Sequence, residues 1–313
     1  MTTILFAHRD AEYFAPKLKQ SFPGIEVITA PDLPESVPHF PEADIIMAAG
    51  HGFNDERLAK ANKLQWIHAM TTGFDAIAGS RTLRPEVILT TTRGIHGPQM
   101  AEMAFLYMLN LARDYPRMHD NQKKHVWQRW TQVRLHGKTV VITGLGHIAE
   151  ALAPRCKAFG MTVLGVSATS RAVAGFDQVF DYSQLADAAA HADFLVVLTP
   201  YSREMDNLIN ARILSVMKPN AYLLNLARGG LCDEDALLDA LRTKRIAGAG
   251  LDVFRTEPLP KDSPFWDMDN VLITAHCSGS SDDNLAMTWP IIETNVRCFL
   301  ERRTDDMANR VLR

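Results

Sequence analysis

Three residues in the second half of the chain have side chains that can transfer a proton and bind an anion: Arg228, Glu257 and His276. An imidazole titrates near neutral pH, so it can act as a general acid, and a nearby carboxylate favours its charged form and orients the ring. A guanidinium is a fixed cationic fork for carboxylate and carbonyl oxygens. These are the groups that protonation of a developing alkoxide and binding of a carboxylate require. We therefore expect His276 to be the acid, Glu257 its partner and Arg228 the anion-binding group.

Each of these residues closely follows a predicted strand. The three strands are Tyr222–Asn225, Ala247–Leu251 and Val271–Thr274. In open parallel sheets, ligands bind outside the carboxyl ends of the strands. The order along the chain therefore predicts that the three side chains converge on one site.

A glycine-rich turn precedes this set, within KTVVITGLGHIAEAL at residues 138 to 152. An apolar strand leads into Gly144-Leu145-Gly146, and a helix follows, which is the context that gives the GxGxxG/A pattern its meaning. Gly144 permits the tight turn, and Gly146 lets the backbone approach a pyrophosphate. The N–H groups of the first helical residues, His147 and Ile148, face the same anion. We predict a dinucleotide site here.

The choice of dinucleotide depends on the end of the next strand, Thr162–Val166. An acidic residue at that point would bind the ribose 2′-hydroxyl of NAD, but the chain continues with Ser167-Ala168-Thr169-Ser170-Arg171. Hydroxyls and a guanidinium suit a 2′-phosphate. We predict that NADP(H) is preferred, with NAD(H) as the alternative. The predicted contacts are Ser167, Thr169, Ser170 and Arg171.

Two arrays of strands and helices must position these residues. The first hundred residues alternate helical segments with short apolar runs, at Thr3–Ala7, Ile25–Thr29, Asp44–Ala48, Gln65–Ala69 and Val87–Thr91. A second array begins at Lys138. This alternation predicts an α/β protein with parallel sheets. Between the arrays, Pro98 to His119 is apolar on more than one face, which predicts one long helix that is buried or at an interface.

Composition excludes several classes of protein. The chain has 313 residues, of which 47% are hydrophobic and 22% charged, and its formal net charge is -3. The chain has no excess of basic residues of the kind that binds nucleic acid, and no apolar run near the ~20 residues that a membrane helix needs. Its N-terminus does not have the pattern of a signal peptide. The four cysteines form no CxxC pair. We expect a cytoplasmic protein with reduced thiols, no bound metal, and neither nucleic-acid nor membrane partners.

These motifs make the chain resemble the D-isomer-specific 2-hydroxyacid dehydrogenase family. The matching stretches are TGLGHIAEAL (143–152), NLARGGLCDEDALLDAL (225–241), AGAGLDVFRTEPLP (247–260) and NVLITAHCSG (270–279). The missing acid and the short length resemble its glyoxylate/hydroxypyruvate reductase branch. The resemblance implies two Rossmann-like/flavodoxin-like parallel-sheet domains with an interdomain active-site cleft. Residues 1–99 and 282–313 would form the substrate domain, and residues 100–281 the dinucleotide-binding domain.

The resemblance also implies roles that the residues alone do not. Asp252 and the Ala227 carbonyl would position the nicotinamide, and the backbone N–H groups of Thr72 and Gly73 would hold the substrate carboxylate, beside Arg228 and His276. Further cofactor contacts would come from Thr199, Pro200, His276 and Gly279. A homodimer is expected. Two departures are Met205, where many members have threonine, and Met100, where a small hydroxyl residue is common.

The leading hypothesis is hydride transfer from NAD(P)H to glyoxylate or hydroxypyruvate, giving the D-2-hydroxy acid. One alternative is a dinucleotide-sensing, corepressor-like binding protein. Another is a D-2-hydroxyacid dehydrogenase for a bulkier 2-keto acid, because the packing of loops around the substrate sets which side chain is accepted. His96, Trp127, Trp130 and Trp289 are candidates for the walls of that pocket.

Overall fold

The chain forms two compact units in a computed structural model that describes residues 1–169 and 172–311. The first unit is Met1–Ile95 with Ser281–Arg313, and the second is His96–Ser280. Ser170 and Arg171, two of the predicted cofactor contacts, lie outside the described residues. Within the described ranges, no helix is both long and apolar enough to cross a membrane.

The described part of the first unit contains a five-stranded parallel sheet in the order β2-β1-β3-β4-β5. Alternate residues of β1 enter separate apolar clusters, Leu5 in one and Phe6 in the other, because successive side chains point to opposite faces of a sheet. The strands are β1 Thr2–Ala7, β2 Ile25–Ala30, β3 Ile45–Ala48, β4 Trp66–Ala69 and β5 Ile88–Thr91. The helices are α1 Ala11–Ser21, α2 Leu33–Ser36, α3 Asp55–Leu58, α4 Asp75–Ala78 and α11 Asn284–Leu300.

His68 in β4 is a fully buried histidine of this unit. Its Nδ1 lies 2.7 Å from the Thr90 hydroxyl oxygen, and Trp66 Nε1 donates to the same oxygen at 2.8 Å. Burial lowers the pKa of His68 to about 3. The ring is therefore a neutral part of the core at ordinary pH.

This burial predicts a loss of stability in acid. Below about pH 6.5, the unfolded chain protonates His68 whereas the native ring stays neutral, so the free energy of unfolding falls by up to about 1.4 kcal/mol per pH unit. The loss continues down to the native pKa of about 3. Urea unfolding at several pH values between 7 and 4 measures this slope. His68→Asn should make it shallower, whereas His39→Asn in the same unit should not; equal slopes in wild type and His68→Asn would contradict the prediction.

The described part of the second unit contains a seven-stranded parallel sheet in the order β12-β11-β10-β9-β6-β7-β8. Two parallel-sheet α/β domains were predicted, and this fold class is confirmed. The strands are β6 Thr139–Thr143, β7 Thr162–Ser167, β8 Gln178–Asp181, β9 Phe194–Val197, β10 Tyr222–Asn225, β11 Gly248–Leu251 and β12 Val271–Ile273. The helices are α5 Gly97–Arg113, α6 Tyr115–Lys123, α7 His147–Ala158, α8 Leu185–His191, α9 Ala211–Val216 and α10 Glu234–Arg242.

The prediction of one helix from Pro98 to His119 is wrong. The helix breaks at Asp114, which has a left-handed backbone (φ 54°), and α6 starts at Tyr115. Pro116 explains the break, because it has no N–H to donate to the carbonyl four residues earlier. That carbonyl, of Ala112, instead accepts a hydrogen bond from Val133 N at 3.0 Å.

Candidate active site

The glycine turn follows β6 at the switch point of the second sheet. Strands β6 and β9 are neighbours there, but the next strand along the chain lies on one side for β6 (β7) and on the other side for β9 (β10). Gly144 has φ +84°, and a Cβ there would lie 2.6 Å from Thr199 N. Both the left-handed backbone and this close approach exclude a side chain. The turn therefore opens at the position where α/β sheets bind ligands.

Gly146 is the N-cap of α7, so no cap side chain accepts from the N–H groups of the helix's first turn. A Cβ built on Gly146 would have no neighbouring heavy atom within 4 Å. The first helical residue, His147, is exposed, and its Nδ1 lies 3.2 Å from Glu150 Oε2. This open space before a helix N-terminus is a cradle that fits a pyrophosphate.

The open space yields a direct test of the dinucleotide site. We expect Gly146→Ala to lower the melting temperature of the free protein only slightly, because the added methyl contacts no protein atom and the remaining cost is that of alanine at a helix N-cap. A pyrophosphate pressed against the same spot would be displaced, so NADPH binding should weaken by about tenfold or more. Fluorescence titration with NADPH measures the Kd. Gly24→Ala is the control, because Gly24 also has open space but lies in the first unit; equal affinity in both variants would contradict the pyrophosphate assignment.

The end of β7 carries no acidic side chain. The Ser167 hydroxyl donates to the Thr169 carbonyl at 2.6 Å. The residue in register with Ser167 on β8 is Asp181, whose carboxylate accepts from Ser183 N at 2.9 Å and caps the following turn. That hydrogen bond lowers the pKa of Asp181, which is therefore a carboxylate near neutral pH.

Thr199 and Pro200 follow β9, opposite the glycine turn. The Thr199 hydroxyl is buried, donates to Thr143 Oγ1 at 2.9 Å, and lies 3.0 Å from the Tyr182 hydroxyl. The side chain thus ties β6 to β9 and to the turn after β8. Its predicted cofactor contact stays a prediction, as does that of Pro200, which is exposed.

His276 and Glu257 form a close pair beyond the ends of β12 and β11. His276 Nδ1 lies 2.7 Å from Glu257 Oε2, and Glu257 Oε1 accepts from Phe254 N at 2.9 Å. A carboxylate only accepts hydrogen bonds, so Nδ1 carries the proton between the two groups. Nε2 is then the ring nitrogen left for a substrate. The side chains are 46% and 35% exposed, so solvent and small molecules reach the pair.

A hydrogen-bonded frame around Asp252 shapes the loop that carries His276. The His276 N–H donates to the Asp252 carbonyl at 2.8 Å. The buried Asp252 carboxylate accepts from Cys277 N at 3.0 Å and from Ser278 N at 3.1 Å. These bonds hold His276 in a left-handed backbone (φ 49°) that non-glycine residues adopt only when their surroundings impose it.

Next to this frame lies a buried hydroxyl that the sequence did not mark as functional. Ser278 Oγ has no hydrogen-bond partner among the described residues. The neighbouring Gly279, a predicted cofactor contact, is closely packed: a Cβ there would lie 3.2 Å from His96 Cδ2 and 3.9 Å from Met100 Sδ. A buried hydroxyl with no partner among the described residues is a group that fits a polar ligand group such as the nicotinamide carboxamide.

Arg228 follows β10 in a loop that is held from two sides. Buried Asn225 donates from Nδ2 to the Arg228 carbonyl at 2.9 Å and accepts from Ala227 N at 3.2 Å. A Cβ on Gly229 would lie 1.9 Å from the carbonyl carbon of Phe254, so the loop bearing Arg228 touches the one leading to Glu257. The Ala227 carbonyl, a predicted nicotinamide contact, accepts from Arg228 Nη1 at 2.7 Å. Asn225 and Gly229 were not predicted as functional.

Thr72 and Gly73 lie beyond the end of β4 in the first unit. Thr71 shapes their turn, because its hydroxyl donates to the Gly73 carbonyl at 2.7 Å and accepts from Gly50 N at 3.1 Å. A Cβ on Gly50 would lie 2.3 Å from the Gly73 oxygen. The turn is therefore tied to the segment after β3, and its role in binding a carboxylate stays a prediction.

The described residues contain no group of three or more His, Cys, Asp or Glu side chains that could hold a metal ion. All four cysteines are unpaired, and Cys277 is exposed whereas the other three are buried.

Residues 105–278 match the family model described as "D-isomer specific 2-hydroxyacid dehydrogenase, NAD binding domain". The chain is 31% identical over 288 residues to glyoxylate/hydroxypyruvate reductase B of Pectobacterium carotovorum, covering 90% of this chain and 89% of that one. It also matches D-3-phosphoglycerate dehydrogenases but spans about half their length, 55% for that of Methanocaldococcus jannaschii, at 31% identity over 91% of this chain.

Solved structures of the same fold match nearly the whole chain. A D-isomer-specific 2-hydroxyacid dehydrogenase family protein from Aeromonas salmonicida superposes with a TM-score of 0.90 at 36% identity, covering 99% of both chains. An NADPH-dependent glyoxylate/hydroxypyruvate reductase from Sinorhizobium meliloti, in complex with NADP and sulfate, superposes with a TM-score of 0.85 at 26% identity, covering 99% of this chain and 98% of that one.

Proposed function

This chain belongs to the D-isomer-specific 2-hydroxyacid dehydrogenase family, and from that premise we propose that it reduces a small 2-keto acid with NADPH. The observation that carries the proposal is the His276–Glu257 pair, with Nδ1 2.7 Å from Oε2, in the same unit as the glycine turn. When bound, the nicotinamide supplies the hydride. The product would be the D-2-hydroxy acid.

The described side chains divide the remaining work. His276 holds a proton on Nδ1 for Glu257 and presents Nε2, which in its protonated form donates to the oxygen of the keto group. Glu257 stabilises the charged ring and prevents it from turning. Arg228 binds the anionic oxygens of the substrate with its guanidinium. We propose that the Thr72 and Gly73 N–H groups bind the substrate carboxylate.

We infer glyoxylate or hydroxypyruvate as the substrate, because these two acids appear in the names of the Pectobacterium and Sinorhizobium proteins. The test is steady-state kinetics with purified protein over 2-keto acids of increasing side-chain size, with NADPH and with NADH. The highest kcat/KM is expected for the two small acids. A maximum at a larger acid would favour a dehydrogenase for bulkier substrates, and no turnover with any acid would overturn the proposed function.

We infer that NADPH is preferred over NADH. The support is the absence of an acid at Ser167 and the NADP bound by the Sinorhizobium protein. The residues that would hold the cofactor are Gly144, Gly146, His147, Ile148, Ser167, Thr169, Ala227, Asp252 and Gly279, together with Ser170 and Arg171.

Exchanging Ser167 for an acid tests this preference. Ser167→Asp should lower kcat/KM for NADPH by about tenfold or more, because the new carboxylate repels the 2′-phosphate, and should raise the relative use of NADH. Ser167→Asn is the matched control, since it adds the same volume without charge. A wild-type preference for NADH, or an unchanged NADPH-to-NADH ratio in Ser167→Asp, would contradict the assignment.

We also propose that the chain is a cytoplasmic homodimer that contacts its copy through the α5–α6 region. Large apolar side chains are exposed along this stretch and just after it, with Leu106 47%, Tyr115 52% and Trp127 89% exposed. Such neighbouring exposure is typical of an interaction surface. Light scattering should give the mass of two chains; the mass of one chain would overturn the dimer.

A further inference from the structure

Tyr107 is a fully buried residue of α5 that no part of the proposed chemistry uses. Its ring packs on β11 at Gly250, where a Cβ would lie 2.6 Å from the ring's Cγ. Its hydroxyl oxygen lies 2.5 Å from Thr274 Oγ1. Gly250 therefore makes room for a tyrosine whose polar end reaches the segment between β12 and His276.

The directions of the two hydrogen bonds made by the Thr274 hydroxyl follow from the Asp252 carboxylate. Thr274 Oγ1 also contacts Asp252 Oδ1, and a carboxylate can only accept. Thr274 must therefore donate to Asp252 and accept from Tyr107. Burial raises the pKa of Tyr107 well above its ordinary value, which keeps the hydroxyl protonated as this arrangement requires.

The chain of hydrogen bonds ends on the catalytic loop. Asp252 Oδ1, which accepts from Thr274, also accepts from Cys277 N, and Oδ2 accepts from Ser278 N. The position of the Asp252 carboxylate thus determines where residues 276–278 lie. Hydrogen bonds in a buried chain polarise and orient one another.

We propose that Tyr107 is a positioning residue for His276, acting through Thr274 and Asp252, a role that rests on the proposed reductase function. Tyr107 touches neither substrate nor cofactor in this proposal. The Tyr107 hydroxyl fixes the orientation of the Thr274 hydroxyl. The Thr274 hydroxyl in turn fixes the Asp252 carboxylate, which holds the loop of His276.

Tyr107→Phe removes the hydroxyl and keeps the ring on Gly250. We expect kcat with the best 2-keto acid to fall about three- to tenfold, the range for loss of one hydrogen bond, with little change in the KM for the acid. Thr274→Val should lower kcat at least as much, and Thr274→Ser, which keeps the hydroxyl, should restore it. Because both groups act through one path, the double variant Tyr107→Phe/Thr274→Val should be no slower than Thr274→Val.

A second measurement does not depend on turnover. In protein labelled with ¹³C at histidine Cε1, the His276 resonance, assigned by its loss in His276→Asn, should shift or broaden in Tyr107→Phe and Thr274→Val. Tyr222→Phe is the control, because this partly buried tyrosine of the same unit stacks on Phe194, at 5.4 Å between ring centroids, and begins β10 at the amino edge of the sheet, whereas His276 follows the carboxyl edge.

The outcomes separate the two proposals. Absence of wild-type turnover with every acid overturns the reductase function, and the His276 resonance then still decides whether Tyr107 positions the loop. An unchanged His276 resonance in Tyr107→Phe, as in Tyr222→Phe, overturns the positioning role. So does a kcat loss in the double variant equal to the product of the two single losses, because independent effects multiply.

Discussion

Replacing His276 by asparagine is expected to lower kcat by about 10²–10⁴ while leaving the fold intact, because the variant loses the group that donates a proton to the substrate oxygen. The side chain is 46% exposed and its ring contributes little to the core, so its loss should not change the melting temperature. Asparagine keeps a donor near the position of Nδ1 for Glu257. The loss should therefore appear in kcat rather than in the KM for NADPH, as stopped-flow and steady-state assays would show.

Two matched variants separate the acid from its surroundings. Glu257→Gln keeps a hydrogen-bond acceptor for Nδ1 but removes the charge that stabilises the protonated ring, so it should lower kcat, though less than His276→Asn does. His119→Asn, on α6, should behave as wild type. If His276→Asn retained wild-type turnover, His276 would not be the general acid.

Gly229→Ala is expected to damage both stability and activity. The added methyl carbon would lie 1.9 Å from the carbonyl carbon of Phe254, which is backbone and cannot rotate away. One of the two loops must move, at a cost of about 1–3 kcal/mol in the free energy of unfolding. Because these loops lead to Arg228 and Glu257, the same movement should lower kcat/KM by about tenfold or more.

Thermal unfolding and steady-state kinetics on the same preparation measure both effects. For a unit of this size, about 1 kcal/mol corresponds to roughly 2–4 °C in Tm. Gly24→Ala is the control, since a methyl there meets no atom within 4 Å. A Gly229→Ala protein with wild-type Tm and wild-type kcat/KM would show that the two loops do not need this close approach.

The sequence predicted the elements of this protein well where the signal is local. Runs such as IIMA in β3 and VVI in β6 are apolar along their length because both faces of a parallel strand are buried. Strand β8 was missed because QVFD is short and mostly unburied, so it carries no such run. The break at Asp114 was missed because apolar spacing continues through it, and only Pro116 marked the change.

In the candidate site, too, the side chains that could do chemistry were predicted from the sequence, and the contacts that position them were not. Arg228, Glu257 and His276 were predicted from side-chain chemistry and from their places after strands, and the structure pairs His276 with Glu257 directly. The residues that hold them were not predicted. Asn225 binds the backbone of the Arg228 loop, and Asp252 binds that of the His276 loop; the nicotinamide contact that the family resemblance implies for Asp252 stays a prediction.

The sequence by itself therefore determined the fold class, the glycine turn and the residues that could do chemistry, because periodicity, turn geometry and side-chain type are local properties. Only the tertiary structure decided that Gly229 lies against the Phe254 backbone, that Asp252 shapes the His276 loop, and that Tyr107 reaches Thr274, 167 residues away in sequence. Those contacts join strands and helices far apart along the chain. Their partners are set by packing and strand order, which no single segment encodes.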